Sequence, residues 1–157
     1  MIRLRLLALS AVAAFGACSD DAAPGGDAGP GFDCDQETRD DVFVAGLKKP
    51  GEGGLVTFEL VSSAPAPPSR GDNDWVIRVL DAGGQPIAGA GVKVKPPFMP
   101  DHGHPTSVRV VVTEPSSGTY QAAPVNMWMP GLFEVTIEAT PPGGPTDRAV
   151  FRFCIPG

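Results

Sequence analysis

Phe133-Glu-Val-Thr-Ile-Glu138 alternates apolar and polar residues at every step, placing Phe133, Val135 and Ile137 on one face. That period of two belongs to a half-buried strand. The same rhythm recurs outward from it. Ala149, Phe151, Phe153 and Ile155 point one way, leaving Arg152 and Cys154 on the opposite face. In Trp75-Val-Ile-Arg-Val-Leu80 the shared face is Trp75, Ile77 and Val79. Val92 and Val94 alternate with Lys93 and Lys95, and Val108, Val110 and Val112 with Arg109 and Val111. Further strands are expected over Leu55–Leu60 and Val42–Leu47. Turn signals separate these windows at Asp81–Pro86, Glu114–Gly118 and Pro141–Pro145. Seven or so short strands at this spacing predict an all-β, two-sheet sandwich with Greek-key connections, a closed barrel being the alternative.

Composition points the same way. The 157 residues include 20 Gly and 18 Pro, which leave few windows for a long helix, while 42% hydrophobic content supports a core. The length suits one domain. A net charge of −6 argues against nucleic acid, whose phosphates require a basic face.

The first residues read as an address. Arg3 and Arg5 precede an apolar run from Leu6 to Phe15, and Gly16-Ala17 leads into Cys18. This resembles a bacterial lipobox, with Phe15 where Leu is usual. The expectation is a signal peptide over 1–17 and lipidation of Cys18, anchoring an exported protein to a bacterial membrane. Ser19 after the Cys mildly favours the outer membrane. Residues 18–33, almost wholly Gly, Pro, Ala, Ser and Asp, form a flexible tether. The domain then occupies 34–157. With Cys18 lipidated, Cys34 and Cys154 remain, an even pair in an oxidising compartment. They are expected to form a disulfide worth on the order of 4 kcal/mol, two free thiols or a metal-binding pair being the alternative.

Ser62–Asp74 is Pro-rich and reads as an exposed loop; its Arg70-Gly71-Asp72 is too short a motif to carry a function.

The chemistry-bearing residues are concentrated. Both histidines lie in Met99-Pro-Asp-His-Gly-His104, and two further methionines in Met127-Trp-Met129-Pro-Gly131. Both segments read as loops. Thioethers suit Cu(I), and imidazole suits both copper oxidation states. Met99, His102, His104, Met127 and Met129 are therefore candidate copper ligands. The competing reading makes Pro100–Gly103 a plain turn and Met127 and Met129 core packing. Catalysis is not expected. Two histidines are too few for a His-rich dinuclear site, a catalytic zinc would have to recruit Asp101, and no nucleophile triad or phosphate loop is recognisable.

Asn73–Val79, Gly89–Val94 and Phe98–His104, followed by Gly118-Thr-Tyr120 and Met127–Ile137, resemble the YtkA-like family, related to FixH, over about residues 54–154. The resemblance implies an immunoglobulin-like sandwich in an exported or membrane-attached protein, often associated with copper handling. It also implies Met99, His102 and His104 as the primary site, with Met127 and Met129 secondary. The expected function is a copper carrier, chaperone or sensor of the cell envelope, periplasmic or surface-exposed. A monomer that hands copper to another envelope protein is expected, against the alternative of a metal-free interaction module.

Overall fold

The computed structural model describes residues 32–157; the expected signal peptide, Cys18 and nearly all of the expected tether lie outside the described residues. A short 3₁₀ turn at Cys34–Gln36 precedes ten strands. They are β1 (Leu47–Pro50), β2 (Thr57–Ala64), β3 (Gly71–Leu80), β4 (Gly91–Val94), β5 (Phe98–Met99), β6 (His104–Pro105), β7 (Val111–Ser116), β8 (Thr119–Met127), β9 (Gly131–Thr140) and β10 (Asp147–Ile155). One sheet has the order β1-β2-β3-β8-β7, the other β10-β9-β5-β6 with β4 also against β9. Both sheets are antiparallel and open, so the sandwich holds and the barrel does not.

The alternating windows supply the core. Phe58 and Leu60 of β2, with Trp75, Ile77 and Val79 of β3, face Phe133, Val135 and Ile137 of β9 and the apolar row of β10, all of them buried. Trp75 sits edge-on to Phe153 and Phe151, at 5.6 and 6.4 Å between ring centroids, joining the two layers.

Several boundaries differ from the sequence reading. Val42 and Val44 alternate but are exposed, at 83% and 55%, and the first strand is instead Leu47–Pro50 after a turn at Gly46 (φ +79°). Ser62–Asp74 is only partly a loop. Ser62, Ser63 and Ala64 pair with Val76, Trp75 and Asp74, extending β2 and β3 past their apolar cores. Within that stretch Gly71 and Asp72 lie in β3, paired to Met127 and Asn126, so Arg70–Asp72 is no displayed turn. Buried Asn73 fixes this end by donating to the carbonyls of Ser69, Gly71 and Val125. Glu114–Ser116 belongs to β7, leaving Ser117-Gly118 alone as the tight turn into β8.

Cys34 and Cys154 are disulfide-bonded, with Cα atoms 5.7 Å apart across a sequence separation of 120. Beyond the bridge the entering chain runs along β10 as a strap. Asp41 N–H donates to the Arg152 carbonyl (2.8 Å), Arg152 N–H donates to Asp41 Oδ2 (2.7 Å), and Lys49 pairs with the same carboxylate.

Candidate functional site

The two candidate segments meet at one end of the sandwich. β5 and β6 form a small hairpin in which Met99 and His104 are direct register partners. They are neighbours in the ladder, with the Met99 side chain buried in the core and the His104 ring in solvent. Between them Pro100–Gly103 closes a four-residue loop, with His102 N–H and Gly103 N–H both donating to the Met99 carbonyl (3.1 and 2.8 Å). Gly103 has φ +72°, a left-handed conformation that favours glycine there. The turn brings the rings of His102 and His104 to 5.9 Å between centroids, both in solvent. His104 Nδ1 lies 3.2 Å from the Pro105 carbonyl. A carbonyl only accepts, so in this contact Nδ1 is the donor.

Met127 closes β8 and is fully buried, as is Met99; both are strand residues of the apolar core rather than loop residues. Met99 reads as a loop residue because its two-residue strand carries no periodicity, and Met127 because it is the last residue of its strand. Only Trp128–Pro130 is irregular, with Trp128 exposed and Met129 half-buried against the core. Gly131 then opens β9 at φ +137°, and a Cβ placed there would stand 2.7 Å from Met99 Cε. The methyl of Met99 thus occupies the space a side chain at Gly131 would take, two residues beyond Met129. A second link joins the segments on the far side: Thr106 Oγ1 donates to Asn126 Oδ1 (3.3 Å), beside Met127. The structure thus brings Met99 against the segment after Met129 and His102 beside His104, with Met127 in the core.

One residue of this end was not found by sequence reasoning. Arg39, carried on the disulfide-anchored strap, donates from Nη1 and Nη2 to both oxygens of Asp101 (2.8 Å each). Its Nε and Nη2 also hold Glu37 (2.8 and 2.7 Å). The hydrogen bonds from Arg39 bring the Glu37 carboxyl down from 4.5 to about 2 and lower that of Asp101. Sixty-two residues separate Arg39 from Asp101, and no local pattern signals such a pair. Among the described residues no three His, Cys, Asp or Glu side chains gather as a metal-ligating group. Any soft-metal chemistry here would draw on thioether sulfur together with imidazole.

A family model described as YtkA-like matches residues 54–138. The span runs from the approach to β2 through most of β9 and contains all five Met and His candidates. Arg39, Cys34 and Cys154 fall outside it. Comparison with curated proteins and with solved structures returns no match.

Proposed function

The chain belongs to the YtkA-like family, and from that premise we propose that it is a copper-binding protein of the cell envelope. In this reading it is tethered through a lipid on Cys18 and passes copper to another envelope protein, with no catalytic step of its own. The observation that carries the reading is the pairing of Met99 with His104 across β5 and β6, with the segment after Met129 against the Met99 methyl. Thioether sulfur and imidazole carried on paired strands are a donor set suited to Cu(I). Met99 and His104 would be the principal holders, with His102 and Met129 at the rim and Met127 supporting Met99 from the core. Competition for Cu(I) between the purified protein and a chromophoric chelator tests this. Binding that is absent, or unchanged in His102→Ala/His104→Ala, removes the proposal.

A second reading is favoured by the bracing of the loop. Asp101 is engaged by Arg39, and the Met99 carbonyl takes two N–H groups, as a rigid turn of an interaction module would require. It expects the double histidine variant to change stability and no metal affinity.

A further inference from the structure

On the opposite side of the sandwich from β10, the second sheet is incomplete. β10 covers one side of β9, while β4 and β5 share the other. Beyond β5 lies β6; among the described residues no strand occupies the same position beyond β4. The gap is a cleft of about 320 Å³, floored by Val92, Val94, Val110 and Val112 and rimmed by Lys93 and Arg109. Its far wall is β7, itself the edge of the other sheet.

The cleft has defined limits. At one end Glu114 accepts from Gly89 N–H, and the Tyr120 hydroxyl donates to the Ile87 carbonyl while accepting from Ala90 N–H. These bonds sew the two edges together. At the other end the chain crosses from β6 to β7. Edge strands are usually guarded by charge, proline or a bulge. On β7 all three guards fall late: Glu114, Pro115 and a register shift between Thr113 and Ser116. Val110–Thr113 and β4 carry none of them apart from their cations. Those cations are uncommitted. Glu138, opposite Lys93 in register, gives its carboxylate to Lys95 (3.2 Å), and neither Lys93 nor Arg109 has an ion pair among the described residues. In a chain of net charge −6, a positive rim over an apolar floor selects a partner that is apolar and acidic together.

We infer that this cleft receives an extended segment of a partner protein, apolar residues alternating with Asp or Glu, which adds to β4 as the missing strand. Main-chain hydrogen bonds to the β4 edge supply affinity. Valine-lined space and the Lys93/Arg109 rim supply selectivity. This inference is independent of any metal.

The test uses a fluorescently labelled synthetic peptide of alternating valine and glutamate, titrated with the purified protein and followed by anisotropy. The peptide is expected to bind, more weakly as salt rises. Lys93→Glu/Arg109→Glu, at exposed positions, should weaken binding about tenfold or more with an unchanged thermal melt. A valine–lysine peptide, and a valine–glutamate peptide N-methylated on alternate backbone nitrogens, should both fail to bind. Absence of binding, or equal binding to the charge-reversed variant, overturns the inference. So does undiminished binding of the N-methylated peptide, which would mark the cleft as a site for amphiphilic carboxylates. Concentration-dependent dimerisation that excludes the peptide would assign the edge to a second copy of this chain and overturn it equally.

Discussion

Arg39 grips Asp101 through two parallel hydrogen bonds, 2.8 Å each, and in doing so ties the N-terminal strap to the loop that carries His102. The strap is fixed at one end by Cys34–Cys154 and along its course by Asp41 on Arg152. The His loop is therefore held from outside its own hairpin. Because this pair is exposed, its loss should hardly move global stability. Its effect should be local. In Arg39→Ala the amides of His102 and Gly103, which donate to the Met99 carbonyl, are expected to exchange with solvent faster while the amides of β9 do not. Amide hydrogen exchange by NMR checks this; uniform protection would show that the hairpin holds its loop unaided.

The grip should also have a pH dependence of definite sign. Glu37 titrates at about 2 in the folded chain against an ordinary 4.5, chiefly because Arg39 hydrogen-bonds its carboxylate. A depressed carboxyl stabilises above the unfolded value and loses that contribution as pH falls through the folded one. The contribution of the Glu37–Arg39 pair is thus complete above about pH 4.5 and fades toward pH 2. The carboxyl carbon of Glu37 should titrate with a midpoint near 2 by NMR. In Arg39→Ala the midpoint should return toward 4.5.

Gly131 and Met99 offer a direct probe of how the two candidate segments meet. Alanine at 131 meets φ +137°, where side chains are rarely accommodated, and its Cβ meets Met99 Cε. The methyl group is the far end of a flexible side chain and can swing aside, so most of the cost is backbone strain, about 1–3 kcal/mol. Gly131→Ala should lower the unfolding free energy measured in urea by that amount and shift the Met99 methyl resonance. If Met99 binds copper as proposed, Cu(I) affinity should fall as well. A Met99 resonance that stays in place would mean the two segments are not in contact.

How far the sequence was legible follows from what each residue does twice. Phe133, Val135 and Ile137 have one role, burial, and their alternation announced β9 without ambiguity; the same holds for the row from Ala149 to Ile155. The Cys34–Cys154 bridge was legible from the even pair left once Cys18 was set aside. β8 was signalled only by Gly118-Thr-Tyr120, because its middle, Ala122-Ala123-Pro124, has little apolar contrast between faces. Val42 and Val44 misled for the opposite reason: they alternate, yet they lie outside both sheets. Met99 and Met127 are the instructive case. A thioether packs as well as it ligates, so Met127 could be read either way, and the place of Met99 in the core was hidden behind its chemistry. Arg39 was invisible because its role depends on a partner sixty-two residues away.

Asp147 fixes the turn before β2, and its removal should be felt globally. The carboxylate is buried and accepts from Gly53 N–H (2.7 Å), Leu55 N–H (2.9 Å) and Val56 N–H (3.3 Å). Burial pushes its pKa up, but these amides, with that of Arg148, outweigh it and the net direction is down. Its contribution is therefore present above the ordinary carboxyl range and lost as pH falls below it. Asp147→Ala strands amides that the fold has already desolvated, a loss on the order of 3 kcal/mol. Urea unfolding at neutral pH should show it, and the difference from the parent chain should shrink as pH falls below the ordinary carboxyl range and the parent loses its own carboxylate.

The disulfide spans 120 residues of sequence and lies wholly outside the family-matched segment, residues 54–138. The apolar core is built from both sheets and from β10 itself, so the bridge is a constraint added to a sandwich that packs without it. In the chain-entropy model closing a loop of this length is worth about 4–5 kcal/mol, almost all of it from restricting the unfolded chain. Cys34→Ser/Cys154→Ser should therefore lower unfolding free energy by about that amount while the near-ultraviolet signal of Trp75, packed edge-on to Phe151 and Phe153, persists. What should be lost in the native state is the strap. The Arg39–Asp101 pair then has to close an unanchored segment and pays for its ordering. Exchange at His102 and Gly103 should rise in the serine variant as it does in Arg39→Ala, and combining the two changes should add little. Full additivity at those amides would show that strap and bridge act on the loop separately, and would sever the link between the disulfide and the histidines.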